Sequence, residues 1–336
     1  MRVLLSSNHR YPAYRGEGVG LKPMKRPSGS GGHIHDLLAR GLAEMGHEVF
    51  YLLREGADEP MPSGVTLVRE PRVDVDIFHR LTMRDEDVAA LMDRHGVPHL
   101  ATCHLDLRAR GLNAVPPAEN WIFVSRTMAQ SFGSERFVWN GLDPVDFLYR
   151  EEKEDYLLFL AWMDHAEAKG LDIALDVARP SGHQLLVCGS AQTPEVIQQI
   201  RNQCEAAGAR YLGDVRGRAK ARLLAGARAV LVPTRVPEAF GLVIAEALFS
   251  GTPVICGDRG ACPELVIPQV GFVCTSRQDY LHAVKAADQI SSAACRARAW
   301  QNFHYHHMVR GYLGEYAREI ARHQESSLRT DGKVLT

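Results

Sequence analysis

Short apolar runs alternate with longer amphipathic stretches along this chain, the pattern left by buried strands and the helices that cover them. The first run, RVLLSS at 2–7, predicts a buried strand. A polar loop rich in Gly and Pro follows, and an amphipathic helix is expected from about His33 to Met45, closed by Gly46. HEVFYLL at 47–53 is the next expected strand, with others at 65–68, 75–79, 98–103, 121–124 and 136–139.

The alternation breaks at NGLDPVDFLYREEKED, residues 140–155, a turn followed by a charged stretch. It restarts with strands at 156–162, 183–189, 209–215, 227–233 and 252–257, interleaved with helices at 170–179, 194–207, 218–226 and 241–250. A charged helical stretch over 293–324 closes the pattern. Strand–helix alternation twice over predicts an α/β architecture of two doubly wound halves, joined near 140–155.

Composition agrees with that division and narrows the chemistry. A chain of 336 residues is long for one core and suits two domains. Hydrophobic content of 46% and charged content of 24% are those of a soluble globular protein, and a net charge of −1 supplies no field to gather nucleic acid. The seven cysteines lack metal-ligand spacing, and Cys188 and Cys256 sit in apolar runs as reduced buried thiols do. The first residues hold too short an apolar run for a secretory signal, and no run long enough to cross a bilayer follows, so a cytoplasmic location without a transmembrane segment is expected.

Several segments could carry chemistry. PSGSGGHIHDLL lies between the first strand and first helix, where free N–H groups and close backbone approach suit an anion, or where a loop is simply flexible. Its glycine spacing does not meet the dinucleotide fingerprint. The pair His33 and His35 and the cluster HYHH at 304–307 lack companion ligands, so no metal is expected there. Asp74 and Asp76 form D-x-D, read as two acids bounding a strand rather than a cation site. His104 ends an expected strand at the edge where open α/β sheets meet ligands, or caps that strand. Lys169 precedes a helix and could partner a phosphate or simply be solvated.

The most informative segment is PEAFGLVIAEALFSGTPV, residues 237–254, which carries Glu238 and Glu246 in otherwise apolar surroundings. If both lay on one helix they would stand roughly 12 Å apart along its axis. That is about the span from a hexose across a diphosphate to a ribose, with the N–H groups of the helix start between them. The plainer alternative is a helix cap at Glu238 and a solvent-facing Glu246.

This segment resembles the E-x7-E region of retaining family 4 glycosyltransferases, which have the GT-B fold. Collinear stretches extend the resemblance over about residues 2–275: SGSGGHIHDLLARGLAEMGHEV, ATCH, VSRTMAQSFG, VWNGLDPVDF, AKGLDIAL, LLVCGSA, YLGDV and GTPVICGDRGACPELV. The resemblance implies two Rossmann-like doubly wound domains facing a central cleft. An acceptor-side domain would span 1–148 and a nucleotide-sugar domain 149–300, with a helix at 301–336 crossing back to the first.

Carried over by position, the resemblance implies that Gly31 and Gly32 face the donor diphosphate and that Lys169 neutralises it. Glu238 would hold donor-sugar hydroxyls, Glu246 the ribose, and the backbone of Phe240, Gly241, Leu242 and Val243 the sugar and phosphates. Gly189, Ser190 and Val215 would lie beside the base and His104 near the reacting sugar. The family's usual Arg a few residues before the Lys is missing. Trp162 stands near its place, and Arg216 and Arg235 are the candidate replacements. The implied function is retaining transfer of a hexose-type sugar from a nucleotide-diphosphate donor, with no metal and no cofactor beyond the donor. The acceptor, a small molecule, glycan or lipid-linked group approached with or without peripheral membrane contact, would be shaped by loops 8–30 and 104–118. A non-catalytic nucleotide-sugar-binding protein and a nucleotide-sugar epimerase are the alternatives on the same scaffold.

Overall fold

A computed structural model describes residues 1–7, 30–53, 61–81, 85–104 and 119–331. Among these the chain forms two compact units: the residues up to Gly141 together with Tyr305 onward, and Leu142–His304. The divisions fall at 141/142 and 304/305, where the sequence reading sets them at 148/149 and 300/301.

In the first unit six strands run parallel: β1 (Arg2–Ser6), β2 (Glu48–Leu52), β3 (Val65–Val68), β4 (Ile77–Arg80), β5 (His99–Cys103) and β6 (Trp121–Phe123). Their order is β3-β2-β1-β4-β5-β6. In the second unit β7 (Tyr156–Leu160), β8 (Gln184–Cys188), β9 (Arg210–Gly213), β10 (Ala229–Val232), β11 (Val254–Gly257) and β12 (Gly271–Cys274) form another parallel sheet. Its order is β12-β11-β10-β7-β8-β9. Counted from the first strand of each unit, both sheets follow the doubly wound order 3-2-1-4-5-6, with the chain reversing direction across the sheet between β1 and β4 and between β7 and β10. Each unit is therefore Rossmann-like.

The central strands are apolar because helices cover both faces. Val3, Leu4 and Leu5 of β1 and Leu157 and Leu158 of β7 are fully buried. Helices of the second unit run Leu171–Ser181, Pro194–Ala206, Gly217–Gly226, Leu242–Phe249 and Arg277–Ala286. The C-terminal helix Tyr305–Asp331 belongs to the first unit, where Gly41 of the helix Ser30–Glu44 lets it approach closely: a Cβ there would stand 2.6 Å from Val309.

Two expectations need correction, and some elements were not foreseen. The strand expected at 136–139 is one isolated bridge between Phe137 and Phe123, after which the chain leaves the sheet for the unit boundary. The first helix begins at Ser30, so Gly31 and Gly32 lie in its first turn rather than in a preceding loop. The strand β12 and the helices Glu86–Arg94 and Arg277–Ala286 have no counterpart in the sequence reading. Loops 8–29 and 105–118, expected to shape the acceptor site, lie outside the described residues, as does Gly29.

Candidate functional site

In the second unit the candidate site is built from two loops at the carboxyl edge of the sheet. After β7 the chain makes a single tight turn, Met163–His165, in which Met163 is buried. Lys169 follows, its N–H donating to the His165 carbonyl at 2.8 Å. The second loop leaves β10, and the Arg235 N–H donates to the Ala168 carbonyl at 2.9 Å, joining it to the first. That stitching brings the Lys169 ammonium onto a carboxylate oxygen of Glu238 as an ion pair.

Glu238 is not helical. It forms an isolated parallel bridge to Gly260, and its carbonyl accepts the Ala261 N–H at 2.9 Å. Gly260 has φ of 60°, and a Cβ there would stand 2.3 Å from the Glu238 backbone nitrogen and oxygen, so only glycine fits. The buried Ala261 beside it supplies that hydrogen bond from its backbone N–H.

The helix itself starts at Leu242, after Gly241 in the left-handed region with φ of 88°. Glu238 precedes it by four residues, so the helical spacing expected between the two acids does not apply to this segment. Glu246 is the only ionisable residue of the helix, amid buried Ile244, Ala245, Ala247, Leu248 and Phe249. Its side chain is 15% exposed, and the Lys220 ammonium stands 2.7 Å from each of its oxygens. Neither acid is an unpaired charge in an apolar setting; each meets one lysine, which offsets the cost of its partial burial. Phe240 anchors the loop, buried edge-on against Phe303 with ring centroids 5.8 Å apart.

A cavity of about 150 Å³ is bordered by Lys169, Glu238, Gly241, Leu242 and Val243, and by the ends of β7 and β10. Five residues singled out in the sequence therefore converge on one space. Gly189 and Ser190 follow β8; the Ser190 carbonyl accepts the Met163 N–H at 2.9 Å, and the Gly189 carbonyl accepts the Tyr211 hydroxyl at 2.6 Å. Val215 lies half-buried between β9 and the helix Gly217–Gly226. None of these three borders the cavity.

The candidate cations resolve differently. Arg235 grips both oxygens of Asp172 in an exposed pair, which raises its pKa and lowers that of the acid through their hydrogen bonds. Arg216 pairs with Asp214 at 2.7 Å. Trp162 is 40% exposed and leads the turn that follows β7, its carbonyl accepting the His165 N–H at 3.0 Å. Lys220, which the sequence reading passes over, is the cation that reaches an acid of the E-x7-E segment besides Lys169. Its signal was present in principle, since it falls on the face of an amphipathic helix, but nothing in the sequence spacing links it to Glu246.

The first unit places other residues at its own sheet edge. Ser7 Oγ lies 3.2 Å from His35 Nδ1, and His35 Nε2 lies 3.1 Å from His104 Nε2. Two imidazole nitrogens at that distance need one proton between them, so the rings cannot both be imidazolium in this arrangement. His35 thus bonds His104 across the sheet edge, whereas the sequence reading pairs it with His33. Deeper, His79 of β4 is fully buried between Tyr316 at 2.8 Å and Thr102 at 2.7 Å, and burial holds its pKa well below the usual histidine value. Asp74 and Asp76 clamp Arg2: Asp74 accepts its guanidinium at 2.8 Å and Asp76 its backbone N–H at 2.7 Å. Hydrogen bonds from Arg72 and Arg2 hold the Asp74 carboxyl well below the usual range, and the D-x-D pair is structural.

Residues 154–296 match the family model described as Glycosyl transferases group 1. The phosphatidyl-myo-inositol mannosyltransferase of Mycobacterium tuberculosis is 31% identical over 150 residues, which cover 40% of this chain and 38% of that protein. An uncharacterized glycosyltransferase of Methanocaldococcus jannaschii is 26% identical over 161 residues, covering 41% of this chain and 40% of its own. The chain thus spans well under half the length of these relatives in the matched region. Among solved structures, AviGT4, a glycosyltransferase involved in avilamycin A biosynthesis, superposes with a TM-score of 0.71 at 24% identity, covering 95% of this chain and 98% of that one. Anabaena HepE in complex with UDP and glucose gives 0.68 at 16% identity, covering 95% and 100%. Residues 154–296 are thus similar to the group 1 glycosyl transferases, in a chain that has the GT-B fold.

Proposed function

We propose that the chain is a retaining glycosyltransferase that moves a hexose-type sugar from a nucleoside-diphosphate donor to an acceptor without a metal. The observation that carries this reading is the cavity where Lys169, Glu238 and the start of the helix Leu242–Phe249 converge. It offers one cation, one hydrogen-bond-accepting carboxylate and the N–H groups of a helix start within one small space.

In this reading Lys169 and the helix N–H groups stabilise charge on the departing diphosphate, which is where charge develops in the transition state. Glu238 accepts hydroxyls of the transferred sugar, and Glu246 accepts those of the ribose. The backbone of Phe240 to Val243 lines the sugar and phosphates, and Gly189, Ser190 and Val215 lie beside the base. The acceptor hydroxyl attacks the anomeric carbon on the face the diphosphate leaves, and the leaving phosphate oxygen takes its proton. Positioning supplies much of the rate.

The donor and acceptor classes follow the relatives. HepE was solved with UDP and glucose, and the M. tuberculosis protein is a mannosyltransferase of phosphatidyl-myo-inositol, so a nucleotide hexose donor and a lipid-linked, glycan or small-molecule acceptor are the classes to screen. No described helix is long and apolar enough to cross a membrane. A second reading, a nucleotide-sugar-binding protein without turnover, is favoured by Trp162 standing where a diphosphate cation is expected and by the engagement of Arg216 and Arg235 with aspartates.

One assay separates the readings: incubation with UDP-, GDP- and ADP-hexoses and measurement of free nucleoside diphosphate. Steady release that rises with acceptor is expected. Tight donor binding with no release would leave the binding protein. A changed sugar still attached to its nucleotide would point to an epimerase and overturn transfer.

A further inference from the structure

Glu246 presents a problem that its own helix does not solve. It is the one charge among Leu242–Phe249, it is mostly buried, and the helix supplies no hydrogen-bond partner for its carboxylate oxygens. A bare carboxylate in that place would also repel the diphosphate of any nucleotide whose ribose it held.

Lys220 answers both difficulties from a neighbouring element. Its ammonium lies 2.7 Å from Oε1 and 2.7 Å from Oε2, so it grips the carboxylate symmetrically and fixes its plane. An ionised carboxylate has about four acceptor positions. Lys220 occupies one on each oxygen and leaves one on each, the number that two vicinal ribose hydroxyls require.

The position of Lys220 has no explanation in the stability of its own helix. It sits near the start of Gly217–Gly226, where Arg218 is also found and the first turn has no acid. Cations at the positive end of a helix are unfavourable. Arg216 just before the helix is neutralised by Asp214, and Arg218 is exposed. Lys220 alone turns to Glu246.

We propose that Lys220 is a positioning residue that orients Glu246 and thereby sets the preference of this site for ribonucleotides over nucleotides lacking the sugar hydroxyls. The inference rests on the donor reading above and extends it to a residue outside the E-x7-E segment.

Calorimetric titration of the full chain with UDP, GDP and ADP, and with their 2′,3′-dideoxy counterparts, tests it. The wild-type chain is expected to bind one of the ribonucleotides at least about tenfold more tightly than its dideoxy form, since unpaired buried acceptors are penalised. Lys220→Met should bring that ratio to within about twofold, and Lys220→Arg, which keeps a cation with two donors, should retain it. Thermal melts of both variants near the wild-type value confirm that the fold is intact; if Lys220→Met melts early, Lys220→Gln replaces it in the same titration. A ribose-to-dideoxy ratio unchanged in Lys220→Met would overturn the inference while leaving the donor reading standing. Absence of saturable binding by the wild-type chain to all three ribonucleotides would overturn the donor reading and this inference with it.

Discussion

The two units share a strand order and differ in how they handle polarity at the carboxyl edges of their sheets. In the first, two hydrogen-bonded chains of hydroxyl and imidazole groups lie near the buried Arg80 that ends β4: Ser7, His35 and His104 in one, and Thr102, His79, Tyr312 and Tyr316 in the other. In the second, the candidate site holds half-buried ion pairs, Lys169 with Glu238 and Lys220 with Glu246. A neutral network satisfies its own members and fixes the packing of the elements that carry it. A pair of opposite charges keeps unused acceptor and donor capacity and can exchange a partner for a ligand of the same charge. In the reading proposed above, one architecture serves at one edge as a scaffold and at the other as an exchangeable anion and hydroxyl site.

The sharpest way to break this comparison is to remove the charges. Lys169→Met takes away the cation and leaves Glu238 without its ion-pair partner, and a fall in turnover of about 10²–10³ is expected, the usual effect of losing one group that stabilises transition-state charge. Glu238→Ala should lower turnover chiefly, whereas Glu246→Ala should weaken donor and free nucleoside diphosphate alike. Initial rates and nucleotide affinities of the three variants check this. Equal loss of nucleotide affinity in Glu238→Ala and Glu246→Ala would remove the division of labour between the acids.

Much of this was legible in the sequence, for identifiable reasons. The central strands are long apolar runs because helices cover both faces, and β1, β2, β5, β7 and β8 fall within a residue or two of where the pattern sets them. The edge strand β12 is four residues with two of them partly exposed, so its pattern has little contrast to read. The E-x7-E segment announced itself because acids in an apolar stretch demand partners. What those partners are was not legible, because Lys220 reaches Glu246 from another helix and Arg235 is drawn away by Asp172, and both facts depend on tertiary placement. Helical spacing does not apply between the acids because Gly260 holds Glu238 in an extended bridge ahead of the helix.

A smaller effect should appear in the first unit and be silent in the second. His79 is held neutral by burial, with the charges of His104 and Arg80 acting in the same direction, so its folded pKa lies below the unfolded value of 6.5. In the window below 6.5 the unfolded chain binds a proton that the folded chain refuses. The contribution is therefore fully present above about pH 6.5 and is lost as pH falls, by up to about 1.4 kcal/mol per pH unit. Thermal unfolding of wild type and His79→Gln between pH 7.5 and 5 should show a shallower decline in the variant, once its lower starting stability is subtracted. Nucleoside diphosphate affinity at pH 7.5 should change by less than about twofold in His79→Gln. Parallel pH profiles would mean that the first unit's network is not the neutral scaffold described above.

The least effect is expected where the sequence pointed to cations for the diphosphate. The Arg235–Asp172 and Arg216–Asp214 pairs are open to solvent, with arginine side chains 43% and 32% exposed and aspartates 60% and 43%. Exposed pairs of this kind contribute about 0–1 kcal/mol to stability, and more salt screens them further. Arg235→Ala and Arg216→Ala should accordingly melt close to wild type. Each guanidinium already has a carboxylate, and Arg235 also donates to the Glu167 carbonyl at 3.0 Å, so a move to a phosphate would forfeit these contacts for one of similar strength. Nucleotide affinity should therefore fall by less than about twofold in either variant, against the much larger losses at Lys169 and Glu246. A tenfold loss in Arg235→Ala would show that an arginine leaves its aspartate to meet the diphosphate. The exchangeable charges of the second unit would then extend beyond the two lysine–glutamate pairs, and the loop that carries Arg235 would be a moving part of the site rather than its frame.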